Sequence, residues 1–96
     1  MSDIIFTHKH VEERFVIEMK IVRVRKDVDY PDGIKYSLVV IDRKNAKRIL
    51  GFDNHERRGH HMHRLERELP YVFVDEWKLI EDFNREFEKI KRRLLK

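Results

Sequence analysis

Hydrophobic and polar positions alternate along the first half of the chain. Every second side chain is apolar in the series Phe15, Ile17, Met19 and Ile21. This period of two predicts a half-buried β-strand. An apolar run at residues 4–6 predicts an edge strand, and residues 34–41 and 46–52 predict two more. The sequence Tyr-Pro-Asp-Gly at residues 30–33 has the composition of a tight turn, so the strands on either side of it should form a hairpin.

A different period follows Pro70. Apolar residues recur at intervals of three and four along the C-terminal segment, at Trp77, Ile80, Phe83, Phe87, Ile90 and Leu94. This spacing places them on one face of a helix over residues 75–95, with Asp75 as its N-cap. We expect that face, including Trp77, to be buried against the sheet. The pattern predicts an α+β fold, an antiparallel β-meander of about four strands with one long C-terminal amphipathic helix packed on one face.

Composition narrows the range of functions. The 96 residues predict a single domain, 1–96, with a β-sheet at 3–53, a histidine-rich loop or strand at 54–69 and the helix at 75–95. Cysteine is absent, which excludes disulfides and a cysteine nucleophile. No apolar segment approaches the roughly 20 residues of a membrane span, and residues 1–10 lack a signal-peptide pattern. We predict a cytoplasmic protein, whose 42% of charged residues is a bias found in thermophiles.

Ionisable groups concentrate between residues 51 and 71. This stretch holds four of the six histidines and four arginines. Metal-independent cleavage of RNA needs a base for the 2′-hydroxyl proton, an acid for the leaving oxygen and cations for the phosphate. Histidine supplies acid and base near neutral pH, and arginine grips phosphate oxygens. In an extended segment His61 and His63 share a face, and His60 points away.

The residues of this stretch allow such acid–base cleavage of a phosphodiester, with His61 and His63 as base and acid and Tyr71 as a stacking or proton-donating partner. No cofactor is required by this chemistry. The candidates are, as catalytic groups, His61, His63, His60 and Tyr71; as phosphate-binding groups, Arg57, Arg58 and Arg64; and as residues that shape the loop, Asp53, Asn54 and Gly59.

Two other interpretations of the same residues stay open. His61 and His63 can ligate a metal ion together with Asp53, or with His8 or His10 near the N-terminus. Alternatively, the basic, histidine-rich surface binds nucleic acid or a partner protein without catalysis, and the formal charge of +4 permits a polyanionic partner.

Several separated features of the second half occur in an order that resembles the TumE family of small toxins. They are Phe52-Asp53-Asn54, then Gly59 to His63, then Glu68, Tyr71 and Phe73, and finally Leu79 with Asp82-Phe83. The resemblance implies a toxin of a type II toxin–antitoxin system, neutralised by a helix-turn-helix antitoxin, with RNA as the suspected target. Independently, the unpaired edge strand of so small a sheet predicts a homodimer or an edge covered by the antitoxin.

Overall fold

The computed structural model describes residues 3–54 and 59–95. Its elements are β1 (Asp3–Val11), β2 (Phe15–Arg23), β3 (Ile34–Asp42), β4 (Lys47–Asp53), β5 (His61–Arg64), β6 (Arg67–Pro70) and α1 (Glu76–Leu94). Each strand pairs antiparallel with the next, so the sheet is a meander with β1 and β6 at its edges. The predicted α+β fold is confirmed, but six strands replace about four, because the histidine-rich segment forms β5 and β6. Within 3–54 and 59–95, no helix is long and apolar enough to cross a membrane.

One face of the sheet carries the hydrophobic core. Alternate side chains of β2 and β3 are buried there, among them Phe15 and Leu38, as the period of two predicts. The helix α1 packs over β4 on this face. Edge-to-face ring contacts join Phe52 to Phe83 at 5.9 Å and Phe15 to Phe87 at 5.4 Å between centroids. These aromatic pairs hold the helix across the sheet.

The helix begins as predicted, but its buried face differs from the prediction. The Asp75 side chain caps the helix by accepting a hydrogen bond from the backbone N–H of Lys78 at 2.8 Å. Trp77 is 67% exposed, so the expectation that it lies in the core was wrong. Each residue turns the helix by about 100°, and two steps of three residues therefore place Trp77 about 120° from Phe83. The buried face instead includes Asp82, which is 4% exposed.

Asp82 is a buried carboxylate with three donors. The Tyr71 hydroxyl donates to its Oδ2 at 2.6 Å, the Lys78 ammonium donates to its Oδ1 at 3.1 Å, and the Arg85 guanidinium donates to Oδ1 at 2.6 Å. Burial raises the pKa of Asp82, but the hydrogen bonds from these three side chains outweigh it and hold the pKa below its ordinary value. The network joins the segment that precedes α1 to the helix itself.

The turn between β5 and β6 departs from the usual chemistry of tight turns. Leu65 and Glu66 alone connect the paired residues Arg64 and Arg67. Leu65 has a φ of 56°, in the left-handed region that residues with a Cβ enter at a cost. Its N–H donates to the carbonyl of Ile49 at 2.9 Å. Because neither turn residue is glycine or asparagine, the sequence pattern did not indicate a hairpin here.

Candidate functional site

Two imidazoles and a carboxylate converge on the face of the sheet opposite α1. In the pairing of β4 with β5, Asp53 lies opposite His61 and Gly51 lies opposite His63. Side chains of paired residues, and of residues two apart on a strand, point to the same side of a sheet. Asp53, His61 and His63 therefore lie together on one surface, which we call the open face.

His61 is held through both of its ring nitrogens. It is 6% exposed, with Nε2 at 2.6 Å from Oδ1 of Asp53 and Nδ1 at 3.1 Å from the carbonyl oxygen of Gly59. A carbonyl oxygen only accepts, so Nδ1 donates the hydrogen of this bond. The ring thus lies between two oxygen atoms, with Nε2 directed at the carboxylate of Asp53.

His63 has a different environment from His61. Its Nε2 lies 3.9 Å from Oδ2 of Asp53, and its side chain is 21% exposed. The two rings meet edge to face, with centroids 5.1 Å apart. Partial burial, followed by the positive charge of Arg48, lowers the pKa of His63, although Glu68 and Asp53 oppose the change. The lowered pKa favours the neutral form of His63, in which a ring nitrogen has a lone pair that can accept a proton or bind a metal ion.

Positive side chains surround the cluster on the open face. The strand register explains why, since Lys20 of β2 pairs with Ser37 of β3, and Ser37 pairs with Asp53 of β4. A hollow of about 570 Å³ lies here, within the roughly 300–1,000 Å³ typical of ligand sites. Its polar lining consists of Lys20, Lys35, Ser37, Arg48, Asp53, His61 and His63. Cations and imidazoles that face one hollow form a suitable surface for a phosphate group.

Gly51 gives the Arg48 side chain room to lie across the sheet. A Cβ on Gly51 would stand 3.2 Å from Cδ of Arg48 and 3.4 Å from its Nε, closer than ordinary van der Waals contact. Because Gly51 is the direct partner of His63, this clearance brings the guanidinium toward the imidazole. Gly51 is therefore part of the site although it has no side chain.

His60 lies apart from His61 and His63. Its ring stacks on Phe73 with centroids 4.8 Å apart and planes at 4°. Nδ1 lies 2.9 Å from the hydroxyl of Tyr36, and Nε2 lies 2.7 Å from Oδ2 of Asp32. Asn54 also reaches this region, because its Oδ1 accepts from the backbone N–H of Tyr36 at 2.9 Å. His60 and Asn54 thus fasten the chain to β3 on either side of the segment that joins β4 to β5.

The structure places Tyr71 and Arg64 away from the open face. Tyr71 lies on the helix side, where burial and the hydrogen bond to Asp82 raise its pKa. Arg64 also faces the helix, with its Nε at 3.7 Å from Oε2 of Glu86, because it alternates with His63 along β5. Arg57 and Arg58 lie outside the described residues. Among the predicted residues that the structure describes, Asp53, Gly59, His61 and His63 are the ones that come together.

The same geometry decides which groups can ligate a metal ion with His61 and His63. One ligand atom from each of Asp53, His61 and His63 lies within 4.8 Å of the others. His8 and His10 pair with Met19 and Ile17, two buried residues of the core face, and so point to the side of the sheet away from the open face. The alternative that takes its third ligand from β1 is therefore not supported by the register.

Sequence reasoning did not find Lys20, Lys35 and Arg48. They come from β2, β3 and the start of β4, far along the chain from the histidines, and each resembles an ordinary solvated lysine or arginine. Only the strand register brings them beside Asp53. The signal that could have found them is their phase, because Lys20 and Lys35 alternate with buried core residues.

Comparison with known proteins identifies the family of the chain. No curated protein and no solved structure matches it. A family model described as Toxin TumE matches residues 3–94, which covers nearly the whole chain, and it confirms the resemblance carried by the motifs of the second half. The chain belongs to the TumE family of toxins.

Proposed function

We propose that this TumE-family toxin acts on RNA and cleaves phosphodiester bonds at the open face. The observation that carries the proposal is the lining of one hollow by two imidazoles and three cations, Lys20, Lys35 and Arg48. RNA offers a negatively charged phosphate next to a 2′-hydroxyl. Cleavage at that position needs cations to bind the phosphate and imidazoles to transfer protons.

The two histidines have complementary roles in this reaction. His63 presents a neutral imidazole that takes the proton of the 2′-hydroxyl as its oxygen attacks phosphorus. His61, held between Gly59 and Asp53, gives a proton to the departing 5′-oxygen. The positive rim binds the phosphate oxygens and stabilises the charge that develops on them. An acid and a base placed at one hollow are the two groups that this cleavage needs, and the reaction requires no metal ion.

Membership in a toxin family implies an antitoxin as physiological partner. We assign to that role a helix-turn-helix protein of the type II kind, which binds the toxin directly. The sheet offers two edges, β1 and β6, and an edge strand presents backbone groups to a second chain. Either the antitoxin or a second copy of the toxin covers one of them.

Growth after induced expression in a bacterial host tests the toxin activity. Wild type should arrest growth and fragment total RNA, whereas His63→Ala should do neither. His10→Ala is the matched control, because it removes an imidazole from the opposite side of the sheet.

Purified protein and a short RNA then separate catalysis from binding. Removal of an acid or base group costs roughly 10²- to 10⁴-fold in rate, so His63→Ala should lose turnover while its RNA affinity barely changes. A parallel fall in affinity, with no cleavage by wild type, would instead identify a non-enzymatic binding module. Affinity should weaken steeply with salt, since phosphate binding releases counterions.

A further inference from the structure

The cluster of Asp53, His61 and His63 has the composition of a transition-metal site. We propose that these three side chains bind a divalent ion of the Zn²⁺ type, and that occupancy of the site switches off the RNA chemistry assigned to the same residues. The first part stands on the geometry alone, and the second rests on the proposed function.

The distances lie close to those that coordination requires. Bonds of about 2.0–2.1 Å in a tetrahedral site separate the ligand atoms by about 3.3 Å. The Asp53 Oδ1 to His61 Nε2 distance is 2.6 Å and the Asp53 Oδ2 to His63 Nε2 distance is 3.9 Å. These two distances involve different oxygens of Asp53. With one ligand atom taken from each residue, all three atoms lie within 4.8 Å of one another, so the Asp53–His61 pair must open by less than 1 Å and the widest pair must close by up to about 1.5 Å through side-chain rotation.

His61 is oriented as metal-ligating histidines usually are. Such residues donate one ring N–H to a backbone carbonyl or a carboxylate, and this bond directs the other nitrogen to the metal. In this chain Nδ1 donates to the carbonyl of Gly59, and Nε2 points at Asp53. Gly59 has a φ of 73°, so the backbone that offers this carbonyl adopts a conformation that favours glycine.

The ligand types select the metal. Two imidazoles and one carboxylate suit Zn²⁺ and its neighbours, whereas Mg²⁺ and Ca²⁺ prefer sites built of oxygen atoms. The positive charges of Lys20, Lys35 and Arg48 oppose every divalent cation, so binding must come from strong bonds to the imidazole nitrogens, which Zn²⁺ forms and Mg²⁺ and Ca²⁺ do not. Three protein ligands leave at least one coordination position open toward the hollow, as in zinc sites that are not purely structural.

Metal binding and the proposed proton transfers exclude each other. Coordination uses the Nε2 lone pair of His63, which would otherwise accept the 2′-hydroxyl proton. It also occupies Nε2 of His61, the nitrogen that the proposed function uses as proton donor, because a ligating imidazole carries no hydrogen on the metal-binding nitrogen. The same three residues therefore support RNA cleavage when free of metal and lose it when the ion is bound.

Titration calorimetry with ZnCl₂ tests the binding of metal alone. The full chain, stripped with a chelator, is compared with Asp53→Asn, with His63→Ala and with the double variant His8→Ala/His10→Ala as control. Wild type and control should bind one equivalent through the cluster, and the cluster variants should lose at least about tenfold in affinity. Thermal melting checks the fold of each variant, and added Zn²⁺ should raise the Tm of wild type and of the control only.

Different results would contradict the metal site and its inhibitory role. Unchanged affinity in folded His63→Ala, or affinity lost in the β1 double variant, would overturn the metal site. Cleavage that Zn²⁺ stimulates, or that a chelator abolishes, would overturn the inhibitory role. A chain that binds Zn²⁺ through His63 but never cleaves RNA refutes the proposed function and leaves the metal site intact. A chain that cleaves RNA but binds no Zn²⁺ refutes the metal site and leaves the proposed function intact.

Discussion

Replacement of Tyr71 by phenylalanine separates a structural role from a chemical one. The substitution removes only the hydroxyl that donates to Asp82 at 2.6 Å and keeps the ring, which meets Phe52 edge to face at 5.0 Å. Because Tyr71 lies on the helix side of the sheet, we expect Tyr71→Phe to lose stability and to keep whatever activity the open face has.

The expected loss can be worked out from the contacts of Asp82. A hydrogen bond to a charged group contributes about 1.5–3 kcal/mol to the free energy of unfolding. Lys78 and Arg85 still contact the carboxylate after the substitution, so Asp82 is not left without a donor. We therefore expect the lower part of that range, about 1.5–2 kcal/mol, which is about a 10- to 30-fold change in the folding equilibrium.

The pH dependence of this loss gives a second, independent readout. The hydrogen bonds hold the pKa of Asp82 below its ordinary value. Their stabilisation is therefore complete above the unfolded-state pKa of about 3.9 and is lost as the pH falls through the folded-state pKa. Once Asp82 is protonated, the Tyr71 hydroxyl forms a hydrogen bond with a neutral carboxyl group, and such a bond contributes only about 1 kcal/mol. The difference between wild type and Tyr71→Phe should accordingly be larger at pH 7 than at a pH below the folded-state pKa of Asp82.

Urea unfolding at both pH values measures the stability loss of Tyr71→Phe and its dependence on pH. The variants Asp82→Asn and Tyr71→Phe/Asp82→Asn complete a double-mutant cycle, which gives the coupling energy between the two side chains. Equal differences at pH 7 and at a pH below the folded-state pKa of Asp82 would refute the assigned contact. A variant as stable as wild type that has lost RNA cleavage would show instead that Tyr71 takes part in the chemistry, as the sequence predicted.

Three further predictions concern the turns, the site and the edge of the core. Leu65→Gly should raise the free energy of unfolding by about 1 kcal/mol in urea titrations, since it relieves a left-handed backbone, whereas Leu65→Ala, which keeps a Cβ there, should not. Gly51→Ala should push Arg48 out of the hollow and weaken RNA binding without a change in circular dichroism; unchanged affinity would show that Arg48 is not a phosphate contact. Asp42 accepts two hydrogen bonds from Arg14 at 3.1 Å, and these lower the pKa of Asp42. The Tm of wild type should therefore fall as the pH drops through the folded-state pKa of Asp42, and the Tm of Arg14→Ala should fall less.

The sequence predicted those parts of the fold that depend on local chemistry. The alternation along β2 required one buried face whatever the partner strands were. The carboxylate of Asp75 capped the first turn of α1 as its side-chain type favours. The turn at residues 30–33 also formed as predicted, with the N–H of Gly33 donating to the carbonyl of Tyr30 at 2.9 Å.

What the sequence could not predict depended on geometry between distant residues. Trp77 has the right residue type and spacing for the core, but successive steps of three rotate it away from Phe83. The β5–β6 hairpin turns at Leu65, where local preferences argue against a turn and only the surrounding sheet holds the conformation. Arg48 could not be assigned to the site from the sequence, because its position depends on the register between β3 and β4, which no local pattern encodes.

Alternation within β5 has an evolutionary consequence. His61 and His63 face the hollow, while the residues between and after them, Met62 and Arg64, face the helix. Residues of the open face and residues of the core are thus interleaved one residue apart along β5, yet they belong to separate surfaces. A toxin lineage could exchange every second residue of the sheet, and with it the target, without disturbing the packing of α1. A register shift of β5 by a single residue would damage both surfaces, because it would turn His61 and His63 toward the core and Met62 and Arg64 toward the open face.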